Sequence, residues 1–101
     1  MKDSIITEYS DYSAFSGKPK EHTHHCVFGR GMRNLADEDK LTIGVTLAEH
    51  EFIHNNPIAA DMSKMIGQLA YEKELYRRQY TMDGSDPARE EFRKRYGKSY
   101  L

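Results

Sequence analysis

Tryptophan is absent from this chain, cysteine occurs once, and proline three times in 101 residues. A lone Cys26 excludes an intramolecular disulfide and a cysteine-based zinc site. It sits between His25 and Val27 and reads as a small buried hydrophobe on a strand. A nucleophilic role beside His25 is disfavoured, because adjacent strand residues point to opposite faces. Long apolar runs are also missing. The opening MKDSIITEYSDYS carries neither a secretory signal nor a membrane span, so a cytoplasmic protein without a membrane partner is expected. Nor is one sign of charge in excess: the net charge is -1, which removes the global basic signature of a nucleic-acid binder.

What is present is enough for a small core. Hydrophobic residues make up 38% of the chain and charged residues 31%, with a mean hydropathy of -0.83. Seven Tyr, four Phe and five Met supply bulk to bury, and the length suggests one domain over residues 1–101. Charge is uneven locally. Residues 87–101 hold five basic side chains (Arg89, Arg93, Lys94, Arg95, Lys98) against Glu90 and Glu91, a balance of +3. Arg30 and Arg33 flank Gly31. Arg30, Arg33, Arg93 and Lys94 are the candidate contacts to a polyanion such as DNA; ordinary solvated surface is the plainer reading.

Residues 1–20 are irregular, with a short strand or a packed segment at Ile5-Ile6 and a turn at 16–19. Residues 24–28 (HHCVF) read as a strand, broken by Gly29-Arg30-Gly31. Residues 33–40 read as a polar loop or short helix with an acidic cluster at Asp37, Glu38 and Asp39. Residues 41–47 (LTIGVTL) alternate and form the clearest strand, paired with the first. Thr46 with Glu49 makes a capping box for a helix from Leu47. Asn56-Pro57 starts the next helix, running to about Arg78, whose stripe Ile58, Met62, Met65, Ile66 and Leu69 is expected in the core; left uncovered, it is a partner face. A turn at 82–85, an Asp86-Pro87 start and a Gly97 stop define a last helix. The fold class is therefore α+β: a hairpin backed by a helix over 22–56, then two C-terminal helices over 57–101.

The chemistry lies in five histidines. His24 and His25 form a doublet on the first strand, and His50 and His54 share one helix face at i and i+4. A divalent ion held by His24, His50 and His54 would keep open positions for water and a phosphate oxygen. His25, left unligated, is a candidate general base. By spacing alone either member of the doublet can be the ligand. His22 is a fourth donor if the strand reaches it, or else a solvated loop residue. The donor types favour Zn2+, Ni2+ or Mn2+ over Ca2+.

The segments HHCVFG, LTIGVTLAEHEFIHNN, IGQLAYEK and REEFRKRYGKSYL resemble the small HNH nucleases of bacteriophages and prophages, over residues 12–101. The resemblance implies a ββα-metal fold, one catalytic divalent ion (Zn2+, Ni2+, Mn2+ or Mg2+) and cleavage of DNA phosphodiesters. It implies His24 as a ligand, His25 as general base, and His50 and His54 as helix-borne ligands. The chain departs from the pattern where Ser13 and Ser16, and Ala48 and Glu51, replace the family's cysteine pairs. No structural zinc is expected, and packing by Tyr12, Phe15 and Phe52 is expected in its place. The family's base-orienting asparagine falls near Ile43, which leaves Asn34 and Asn55 as substitutes. The function expected is a metal-dependent DNA endonuclease or nickase of phage or mobile-element origin, acting in the host bacterial cytoplasm. The alternative is a degenerate HNH-like protein that binds DNA or a host protein, such as an anti-CRISPR-type inhibitor of a defence nuclease, with the acidic cluster mimicking phosphates.

Overall fold

The structure, a computed structural model, describes residues 4–79 and 87–101. It is mixed α+β, in the order β1 (His22–His25), α1 (Met32–Glu38), β2 (Thr42–Val45), α2 (Leu47–Asn55), α3 (Pro57–Gln79) and α4 (Pro87–Tyr96). The turn expected at 82–85 and the Asp86 cap lie outside the described residues.

β1 and β2 pair antiparallel, with His22 opposite Val45, Thr23 opposite Gly44, His24 opposite Ile43 and His25 opposite Thr42. The partner strands are those expected from the alternation; the bounds are not. The first strand begins two residues earlier than the apolar run and ends at His25, although the Cys26 N–H still donates to the Leu41 carbonyl at 2.9 Å. Backbone pairing sets this boundary, and it admits the polar His22 and Thr23 that hydropathy passes over. The second strand is shorter than 41–47, and all four of its residues are buried. Its second face is covered because residues 10–20 fold over it: the Ala14 N–H donates to the Gly44 carbonyl at 2.9 Å. A Cβ on Gly44 would lie 2.6 Å from the Tyr12 carbonyl oxygen, so only glycine lets the two backbones approach.

Of the loop and short helix open for residues 33–40, the helix forms, as α1 over Met32–Glu38, and its acidic cluster makes ion pairs although Asp37 and Glu38 stay exposed. Arg95 Nε donates to Asp39 Oδ2 at 2.6 Å and Arg95 Nη2 to Glu38 Oε2 at 2.9 Å. The Tyr96 hydroxyl donates to the same Asp39 oxygen at 2.6 Å. The capping box at Thr46 and Glu49 is present in full. Glu49 also accepts from Ser13 Oγ at 2.6 Å, which ties the N-terminal segment to α2. The tie here is thus polar; Tyr12, Phe15 and Phe52, expected to pack in this region, are each at least half exposed. Asn56 Oδ1 accepts from the Ala59 N–H at 3.0 Å and caps α3, as the Asn-Pro pair predicts.

Two small apolar clusters form the interior. One joins Val27, Ala36, Leu41, Phe92 and Tyr96; the other joins Cys26, Ile43, Val45 and Ile53. Ile5 and Ile6 pack against the body rather than forming a strand.

The expected role of the α3 stripe is overturned. Ile58, Met62, Met65, Ile66 and Leu69 all face outward. The buried residues are instead Ser63 and Gly67 on the far side of the helix, and Gln68 and Glu72 beside the stripe. The physical reason is close approach to the chain after β1. A Cβ on Gly67 would stand 2.7 Å from Val27 Cγ2 and 3.2 Å from Cys26 Cβ. Only small or hydrogen-bonding side chains fit there. Gln68 Nε2 donates to Glu72 and to Ser99 Oγ at 2.8 and 2.9 Å, and Gln68 Oε1 accepts the Tyr100 N–H at 2.6 Å, so the C-terminal segment is strapped to α3. Gly67→Ala gives a signed test. In an ordinary helix interior it stabilises by about 1 kcal/mol. Here overpacking, at about 1–3 kcal/mol, is expected to outweigh that gain and leave a net loss of up to about 2 kcal/mol in urea unfolding. A gain in stability would show that α3 does not sit this close.

Candidate metal centre

Three of the five histidines converge. His24 comes from β1, and His50 and His54 lie one helical turn apart on α2. One ring nitrogen from each can be chosen so that all three lie within 4.8 Å of one another. The ring centroids of His24 are 5.3 Å from His50 and 5.4 Å from His54, and those of the α2 pair are 4.7 Å apart. His50 Nε2 and His54 Nε2 approach to 3.1 Å. Ligand nitrogens on one tetrahedral ion, at about 2.05 Å each, are separated by about 3.3 Å. Phe28 closes one side of the cluster, its ring 4.6 Å from His54 and 5.6 Å from His24.

The hydrogen bonds at His24 fix its tautomer. Its Nε2 lies 2.8 Å from Ser63 Oγ, and that hydroxyl donates to the Cys26 carbonyl at 2.8 Å. A serine hydroxyl has one proton, which is spent on Cys26, so Ser63 can only accept from His24. The proton therefore resides on Nε2, and the Nδ1 lone pair is free. That Nδ1 is buried and has no hydrogen-bond partner. An unpaired buried polar atom is costly, and a lone pair left in this state is free to coordinate a cation. Ser63 thus fixes the orientation of the His24 ring. Sequence reading missed it, and its one signal was a polar residue in line with Gly67 on the small face of α3.

Electrostatics agree with a ligand role. Burial, and then the positive charge His50, His54 and His25 would carry, push the His24 pKa down to about 3. Burial also lowers that of His50, with further contributions from His54, His22, Arg33 and His25. Neutral imidazoles are the metal-binding form. A stability prediction follows from the direction. The unfolded His24 titrates near its ordinary 6.5, the folded one near 3, so its contribution is fully present above pH 6.5 and is lost as pH falls towards 3. The loss is expected to approach 1.4 kcal/mol per pH unit at most, at about that slope for one group. Urea midpoints should fall across this window, and His24→Gln should flatten the fall. Equal slopes for the two proteins would contradict a neutral buried His24.

His25 points away from His24, as strand alternation requires, yet both line one cleft of about 120 Å³ with Thr23, Phe28, Arg33, His50 and His54. His25 Nε2 is 3.2 Å from Asp37 Oδ1. Beside it a wider depression of about 380 Å³ is lined by His25, Arg33, Asn34 and Asp37. Arg33 borders both spaces. Asn34 borders the second, but the bond to His25 is made by Asp37, a member of the acidic cluster. Asn55 ends α2, is exposed and does not line the cleft. Ile43, at the position aligned with an orienting asparagine, is in the core.

His22 is part of β1 rather than a loop; its ring is 5.2 Å from His50, outside the group of three. Arg30 is exposed ahead of α1. Arg93 and Lys94 are on α4 and pair with Glu90 and Glu91 at 2.9 and 4.0 Å. They do not line the histidine cleft. Cys26 is buried, with its thiol pKa pushed up to about 12 by burial, so it is a core residue and not a nucleophile. Among the described residues no helix is long and apolar enough to cross a membrane. No family model matches the chain, and no curated protein or solved structure matches it.

Proposed function

We propose that the protein is a metal-dependent phosphodiester hydrolase of the HNH type, an endonuclease or nickase acting on DNA. The observation that carries this reading is the convergence of His24, whose buried Nδ1 has no hydrogen-bond partner, with His50 and His54 beside a cleft that they line together with His25. His24, His50 and His54 would hold one divalent ion. Zn2+, Ni2+ and Mn2+ suit three imidazoles; Mg2+, which prefers oxygen ligands, suits them least. When bound, the ion supplies Lewis-acid stabilisation of charge on the phosphate.

The other steps belong to side chains of this chain. Asp37 accepts from His25 Nε2, which leaves the lone pair on Nδ1 to take a proton. His25 takes it from a water as the water oxygen bonds to phosphorus and the bond to the leaving oxygen breaks. Arg33, which borders both spaces, would pair with a non-bridging phosphate oxygen. Thr23 and Phe28 complete the cleft walls.

The test is nicking of supercoiled plasmid with Zn2+, Ni2+, Mn2+ or Mg2+ added singly to chelator-treated protein. Nicking that requires a divalent ion and disappears in His54→Ala is the expected result. An ion that binds without any cleavage would sink the hydrolase reading and leave the alternative, a protein that binds DNA or a host nuclease without cutting.

A further inference from the structure

The outward stripe of α3 has a spacing that a monomer core does not need. Ile58, Met62, Met65 and Leu69 are separated by four, three and four residues. That is the a/d rhythm of a helix pairing with another helix, and with Ile66 it forms a stripe roughly 100° wide. The five side chains are 36–72% exposed. Next to the ridge lies an apolar groove of about 490 Å³ between α2 and α3, bordered by Phe15, Phe52, Met62 and Ile66. Phe15 and Phe52 are also more than half exposed. Seven large apolar side chains are thus exposed on one continuous face, against the singly scattered hydrophobes of an ordinary surface; covering such a face on each copy is what an interface of the standard ~800 Å² per partner requires.

We infer that this face is a two-fold interface between two copies of the chain, with α3 packed antiparallel on its counterpart. The register is set by the sequence. In an antiparallel pair each a position faces a d position. Placing the axis between Ser63 and Lys64 sets Ile58 against the partner's Leu69 and Met62 against the partner's Met65. The same two layers repeat on the other side of the axis. All four layers are apolar, over about 17 Å of helix. Shifting the register by one heptad one way sets Met62 against Glu72, which is turned inward to Gln68 and Arg89; the other way carries Met65 and Leu69 past the start of α3 at Pro57. Lys64 is drawn off the seam to the Phe28 and Tyr100 rings. Each seam residue meets an apolar seam residue of the second copy about one axis, so the face is self-complementary, as an isologous interface requires. The histidine cleft is not part of the face, so this inference stands apart from the hydrolase reading.

Sedimentation equilibrium on the full chain tests it. Wild type is expected to be dimeric at concentrations well above micromolar. Met62→Glu and Met65→Lys should each be monomeric with unchanged circular dichroism, because both side chains are exposed. Mixing the two should restore a heterodimer, since position 62 of one copy faces position 65 of the other. If either substitution perturbs the fold, Ile58→Lys, at the most exposed position of the stripe, replaces it and is expected to be a folded monomer. A monomeric wild type overturns the proposal. So does a dimer that survives the substitutions, or a mixture that stays monomeric.

Discussion

Replacing His25 by alanine is expected to lower metal-supported nicking about 10²–10⁴-fold, the usual contribution of a positioned general base. Metal binding should be unchanged, because His25 is on the opposite strand face from His24 and is not one of the three converging histidines. The combination is diagnostic. A ligand substitution, such as His50→Ala, is expected to remove both binding and cleavage. Asp37→Ala should give a smaller loss than His25→Ala, since it frees the imidazole without removing it. Asp37→Asn can still accept from Nε2 through its amide oxygen and should recover part of the rate. The plasmid assay, run beside a thermal shift with and without ion, reads all four variants. A His25→Ala protein that still nicks at the wild-type rate would remove the base from the mechanism and leave the metal centre untouched.

Phe92→Ala is expected to cost about 3–5 kcal/mol, a large share of the roughly 5–15 kcal/mol available to a domain of this kind. Phe92 is fully buried. Its ring stacks on Tyr96 at 4.5 Å between centroids and meets Tyr71 at 5.5 Å and Tyr100 at 6.1 Å edge-on. It therefore anchors α4 to α3 and to the C-terminal segment. Through Tyr96 and Arg95 bonding to Asp39, α4 also braces the end of α1, the helix that carries Arg33 and Asp37. The unfolding temperature should drop by at least about 12 °C at 4–8 °C per kcal/mol. A drop of only a few degrees would mean that α4 is peripheral to stability, and the bracing of α1 would lose its support.

Much of the architecture was legible locally. The alternation in 41–47, the Thr46–Glu49 box and the Asn56-Pro57 start each name their own structural consequence. So did the i, i+4 pair His50 and His54, because helical geometry alone puts them on one face. What was not legible depends on contacts distant in sequence. Which end of β1 pairs is decided by backbone bonds to β2, not by hydropathy. The apolar stripe of α3 was assigned to the core on periodicity, yet Gly67 and Ser63 on the other face allow the closer approach to Cys26 and Val27. Asp37 and Ser63, partners of His25 and His24, are 12 and 39 residues away from them, and no spacing rule links them. The tie at Ser13 and Glu49 was hidden for the same reason, at a separation of 36 residues.

The convergence of His24, His50 and His54 on one ion is the central claim, and calorimetric titration of Zn2+ into chelator-treated protein tests it most directly. The account predicts one ion per chain for the wild type, retained in His25→Ala and lost in each of His24→Ala, His50→Ala and His54→Ala. Binding that survives any of those three ligand substitutions at wild-type affinity, or a wild type that takes up no ion, would contradict it.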